Sequence, residues 1–287
     1  RAGPVSSAST GSKPIANPDS PSKGYWEELF WSILFPADPR NLVMFLLLWV
    51  FLGFVSLVVF FPTFGFVMLF AKIIGGVVLY GLYCGYRLSI IEGAAAGDPQ
   101  LPNMAVDWLD DAFIPFFQWI GSWAVVIAPS ALHLIFEEGT TSPFEIIAIW
   151  TAAFRNPAAA WATSPVATVL IYFSLFLWPI IILTVALGGF VSLTRVDLLF
   201  KTVIKSFPAY AVTVGLVAVA TIAESFASAR ITGAMIAGQT NVVSLIGWGM
   251  VAQFLVLGPS AYFQIVSLRA IGLYYHHFKH RFAWDWG

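Results

Sequence analysis

Residues 213–237 read TVGLVAVATIAESFASARITGAMIA, an apolar run of bilayer-crossing length that nevertheless carries two charges, Glu224 and Arg230. At ~1.5 Å of rise per residue, a helix needs ~20 apolar residues to cross the hydrocarbon core. A charge at that depth costs about 2.5–3.5 kcal/mol on insertion scales, so it persists where it is paired or turned toward other helices. The segment is therefore expected to face inward in a helical bundle. Thr221, Ser225, Ala229, Gly233 and Ala237 recur at every fourth position, a spacing of small residues that lets a neighbouring helix approach backbone to backbone. Glu224, Ser228 and Thr232 form a polar stripe beside that seam.

The rest of the chain has the composition of such a bundle. Hydrophobic residues make up 59% of it and charged residues 10%, with a mean hydropathy of +0.83, whereas a soluble domain carries ~25% charged residues. Six segments are long and apolar enough to span: Leu42 to Phe61, Phe64 to Ile91, Phe113 to Phe136, Val166 to Leu193, Pro208 to Ile236 and Val242 to Tyr275. The fold class is thus all-α, a polytopic integral membrane protein of six transmembrane helices plus short interfacial helices, occupying residues 25–287. Residues 1–24 are rich in Ser, Pro and Gly and read as a flexible linker, expected to join a domain or processed leader upstream. Residues 25–35, YWEELFWSILF, read as an aromatic amphipathic helix lying flat in the headgroup plane.

Orientation follows from the Lys and Arg count on the two sides. With six spans, the side that holds both termini carries Arg1, Lys13, Lys23, Arg40, Arg87, Arg195, Lys201, Lys205, Arg269, Lys279 and Arg281. The opposite side carries only Arg155. Both termini are therefore expected in the cytoplasm. On the far side, Phe144 to Phe154 is an apolar helix too short to span, ended by Arg155-Asn156-Pro157. FWSILFPADPRNLVMFLLL and IWTAAFRNPAAAWATSPVATVLIY both read as short helix, proline break, then span, the pattern of an inverted repeat.

GYRLSIIEGAAAGDPQLPNMAVDWLDDAFIPFF, GGFVSLTRVDLLFKTVIKSFPAYAV and LRAIGLYYHHFKHRF together resemble an uncharacterised family of bacterial polytopic membrane proteins, a domain of unknown function. Its members often carry an amino-terminal zinc-ribbon-like segment, and the linker at residues 1–24 fits a truncation after one. The resemblance covers residues 40–282 and implies no activity, so it assigns no catalytic residue.

Four intramembrane residues form the candidate polar cluster: Lys72, His133, Glu224 and Arg230. Lys72 lies about eight residues, roughly 12 Å, below the outer end of its span, near the depth of Glu224, so a Lys72–Glu224 ion pair is expected. The pair reads either as a lock on helix register or as part of an ion path. His276 and His280 offer an i, i+4 pair for a metal, but Lys279 and Arg281 repel a cation and favour a basic interfacial collar. Asp107, Asp110 and Asp111 around Trp108 read as acids at a helix start. Cys84 is the single cysteine, which leaves packing as its role.

No HExxH, GxSxG or P-loop motif is present, so no catalytic, cofactor or metal residue is assigned. With a net charge of −1, the chain has no basic excess for nucleic acid. Its partners are expected to be the lipid bilayer and proteins of a membrane complex. The sequence thus reads as a non-catalytic membrane anchor, scaffold or accessory subunit; the alternative is a small transporter or channel with its polar seam at Glu224.

Overall fold

The computed structural model describes residues 24–60, 65–103, 112–140, 142–236 and 242–282. Among these, ten α-helices and no strands are found. Six helices are long and apolar enough to cross a membrane: α2 (Pro39–Phe60), α3 (Phe66–Ala96), α4 (Ile114–Phe136), α7 (Pro165–Gly188), α9 (Phe207–Ile236) and α10 (Val242–Phe278). The chain is a multi-pass membrane protein. The four shorter helices are α1 (Tyr25–Ser32), α5 (Pro143–Arg155), α6 (Pro157–Thr163) and α8 (Val196–Lys205). The acids at Asp107, Asp110 and Asp111 lie outside the described residues, as do Ala237 and the expected linker up to residue 23.

The helix ends follow local chemistry. Ser164 caps α7 by accepting from the Ala167 N–H, and Asn156 caps α6 by accepting from that of Ala159. Proline opens α2, α5, α6 and α7, where a missing N–H costs nothing. Gly97 ends α3 in a left-handed conformation, φ +86°, with its N–H and that of Asp98 returning to Ala94 and Gly93. The fourth span was expected to continue to Leu193 but stops at Gly188, because Gly189 takes φ +70° and turns the chain into a 3-10 segment, Phe190–Thr194. The amphipathic helix α8 then follows.

α10 is the hub. It packs along α9, α3 and α2 and also touches α1 and α7, while α4 and α7 form a second pair beside α3. The core is concentrated toward the end where α1 meets the last turns of α10, here called the lower end. It comprises Tyr83 to Ala95 of α3, Ile180 to Val185 of α7 and Ala261 to Tyr274 of α10. Gly272 lets α10 approach α3 closely: a Cβ there would stand 2.5 Å from both Ala94 Cβ and Ile91 O.

At the lower end the two ends of the described chain are clasped. The Tyr25 and Thr213 hydroxyls share a 2.6 Å hydrogen bond, and His277 Nε2 lies 2.9 Å from Glu28 Oε2. Desolvation pushes the Tyr25 phenol up to about 12, against a smaller lowering by the Thr213 hydrogen bond. Fully buried Asn41 donates to Phe35 O at 3.0 Å and accepts from the Leu101 N–H at 2.8 Å. Arg269 donates to Asp98 O at 3.0 Å and lies 3.6 Å over the Phe35 ring.

α1 packs against α10, with Tyr25 against Phe278 and the Ile33 carbonyl accepting from Tyr262; Tyr25, Leu29 and Ser32 bury one face on the bundle. Trp26, Phe30 and Trp31 stay exposed. The inward face expected for the fifth span is corrected: on α9, Thr221, Ser225, Ala229 and Gly233 are all exposed. α10 is its main neighbour, and one helix can cover only one face of another.

Candidate functional site

The most connected polar group in the spanning region joins α3, α10 and α9. Tyr83 and Arg87 are four residues apart on α3 and share a face, as do Ser260 and Gln264 on α10. Arg87 Nη2 donates to Tyr83 Oη at 2.7 Å and to Gln264 Oε1 at 2.5 Å, and the Tyr83 hydroxyl also donates to Gln264 Oε1. Gln264 Nε2 donates to Ser260 Oγ at 3.1 Å, and Ser260 donates to Glu224 Oε1 at 2.5 Å. Every donor in this chain points away from Arg87 and toward Glu224. That polarity is the one an ionised carboxylate selects, since it can only accept. Glu224 also lies close enough to Tyr83 to interact with it electrostatically.

α4 closes the cationic end. The Arg87 guanidinium lies 3.9 Å from the Tyr83 ring centroid and 4.6 Å from that of Trp119. Trp119 meets Trp178 of α7 edge to face, and Trp178 stacks on Trp123 at 5.4 Å. Arg87 Nε and Trp178 Nε1 are buried without a hydrogen-bond partner among the described residues.

No family model, curated protein or solved structure matches this chain.

The four residues singled out from sequence are dispersed among different partners. Glu224 pairs with Ser260 rather than with Lys72. Lys72 lines a 370 Å³ cleft with Leu57, Val58, Met68 and Ala71, between α2 and α3. α3 and α10 meet at Tyr83 and Gln264, so Lys72 lies eleven residues further along α3, about 16 Å at helical rise. His133 Nε2 lies 3.4 Å from Glu138 Oε1, and Glu138 also accepts from Ser164 at the start of α7. Arg230 is exposed on α9, 4.9 Å from the Phe226 ring, with no ion pair among the described residues.

The histidines also separate. His277 serves the clasp with Glu28, and His276 Nδ1 lies 3.2 Å from Ala95 O. No group of three metal-ligating side chains occurs among the described residues.

Tyr83, Arg87, Ser260 and Gln264 were missed from the sequence. Arg87 and Arg269, which the charge count assigns to the side of the termini, are half-buried within α3 and α10, and without them the orientation count is nine cations against one. The available signal was the spacing: two i, i+4 polar pairs on otherwise apolar spans. Chemically, the network holds a cation and a carboxylate apart by two neutral relays, which neutralises charge inside the bundle and fixes the register of three helices.

Proposed function

We propose that the protein is a non-catalytic subunit of a larger assembly in the bacterial cytoplasmic membrane, acting as an anchor or scaffold with both termini cytoplasmic. The observation that carries this reading is the open face of α9. Its spanning window is only 11% buried, and it presents an arginine to the outside where lipid would otherwise be the neighbour. An uncovered arginine at bilayer depth is costly, whereas a partner helix covers it and uses the close approach that Ser225, Ala229 and Gly233 allow. Mild-detergent purification from the native membrane tests the reading: a stoichiometric partner chain is expected, and a protein that runs as one chain without companions refutes it.

One observation favours a transporter instead. Inward polar groups sit on three helices and end in the titratable Glu224. Proton or cation flux in liposomes that Glu224→Gln abolishes, with the melting temperature unchanged, would establish that second reading.

A further inference from the structure

The cleft between α2 and α3 has one charged side chain, Lys72, among the apolar residues Leu57, Val58, Met68 and Ala71 that line it. A volume of 370 Å³ and an apolar wall with a single polar group are the features of a small-ligand site. The cleft lies near the upper ends of the two helices: α2 stops at Phe60, α3 starts at Phe66, and α3 descends from there to Gly97 beside His276 at the lower end. Lys72 is six residues into α3, about 9 Å at helical rise.

The opening continues below the lysine. Gly75 and Gly76 follow Lys72 by three and four residues and share its face of α3, and a Cβ on either would meet no described atom within 4 Å. From Met68 to Gly76 the line is about 12 Å long at helical rise. Leu57, Ile73 and Ile74 beside it are exposed, so in a bilayer the groove opens to lipid. A helical side chain leans toward the amino-terminal end of its helix, which on α3 is the upper end. Lys72 therefore lays its apolar stem along the cleft and lifts its ammonium toward the headgroups.

We propose that this cleft binds one anionic phospholipid of the upper leaflet, with the lipid phosphate on the Lys72 ammonium and part of an acyl chain in the groove past Gly75 and Gly76. Charge complementarity selects the anionic head, since a zwitterionic lipid brings its own cation to compete with Lys72 for the phosphate. The apolar walls select a lipid over a soluble anion. A partner helix is too thick: one turn, 5.4 Å long and ~10 Å across, already exceeds the volume of the cleft. The proposal does not depend on the chain being a subunit of an assembly.

The test uses the purified full chain in micelles, titrated with dioleoyl-phosphatidylglycerol or dioleoyl-phosphatidylcholine and read by native mass spectrometry and by melting temperature. One retained phosphatidylglycerol per chain is expected, bound about five-fold more tightly than phosphatidylcholine and raising Tm. Lys72→Gln is expected to erase that five-fold preference, the equivalent of the ~1 kcal/mol that one lysine contributes beside anionic lipid, and Lys72→Arg to keep it. Gly76→Leu changes no charge but fills the groove, and is expected to weaken both lipids. Melting in lipid-free micelles confirms that each variant is folded. Equal affinity of the unaltered chain for the two lipids overturns the proposal without any variant. A preference that survives Lys72→Gln overturns the assignment to Lys72, and stabilisation by glycerol phosphate equal to that by phosphatidylglycerol overturns the acyl-chain groove.

Discussion

Replacing Arg87 by methionine removes the buried cation while keeping much of its volume, and the structure sets the expected loss. The guanidinium makes one hydrogen bond to another helix, at Gln264, one to Tyr83 on its own helix, and two ring contacts, to Tyr83 and Trp119. Polar contacts between membrane helices contribute ~0.6 kcal/mol on average, and each cation–π contact ~0.5–1 kcal/mol or more. These terms total about 2–3 kcal/mol, and a Glu224 carboxylate left without its countercharge adds about 1 more. Arg87→Met should therefore cost roughly 3 kcal/mol. Glu224→Gln keeps an oxygen for Ser260 and loses only charge, so about 1 kcal/mol is expected. The double variant contains neither charge, and its loss should fall short of the sum by ~1 kcal/mol or more. Reversible unfolding in mixed micelles, followed by tryptophan fluorescence, measures all three; Trp119 beside Arg87 supplies a local reporter. Losses that add to within ~0.5 kcal/mol would show that the Gln264–Ser260 path does not couple the two charges.

Three further outcomes follow from the lower end and the orientation. Asn41→Leu strands both the Phe35 carbonyl and the Leu101 N–H and should destabilise by about 2–4 kcal/mol, whereas Asn41→Asp keeps the acceptor and loses less; the same unfolding assay ranks them. The Tyr25 phenol titrates at 10.0 when unfolded and about 12 when docked, so its contribution is complete below pH 10 and is lost as pH rises through 12. Amide exchange over residues 25–32 should accelerate across that window, and Tyr25→Phe should remove the dependence. Finally, in a Cys84→Ser background, an impermeant thiol reagent applied outside should label Thr140→Cys and spare Ser20→Cys and Ala283→Cys; labelling of either terminus reverses the orientation.

Length and hydropathy made the six spans legible, because a bilayer demands both, and the short apolar helix expected over Phe144 to Phe154 is present as α5. What stayed hidden depends on which helix faces which. Glu224 was visible as a charge needing a partner, but Lys72 and Ser260 could be ranked only once the register of α3 against α10 was known. Arg87 lies four residues inside the end expected for its span and reads as an interfacial cation; α3 runs on to Ala96, which sets Arg87 deeper in the helix. The small-residue seam of α9 was legible as a packing line, yet periodicity does not distinguish a neighbour in the same chain from one in another.

Glu224 is where these two questions meet. One of its oxygens accepts from Ser260 and ends a donor chain that begins at Arg87. Within the monomer the network is neutral, since Arg87 balances Glu224, and Arg230 is the charge left over on the outside of that helix. Glu224 thereby ties α9 to α10 and, through Ser260 and Gln264, to Arg87 of α3, while Arg230 stays on the exposed side of the same helix, 4.9 Å from the Phe226 ring.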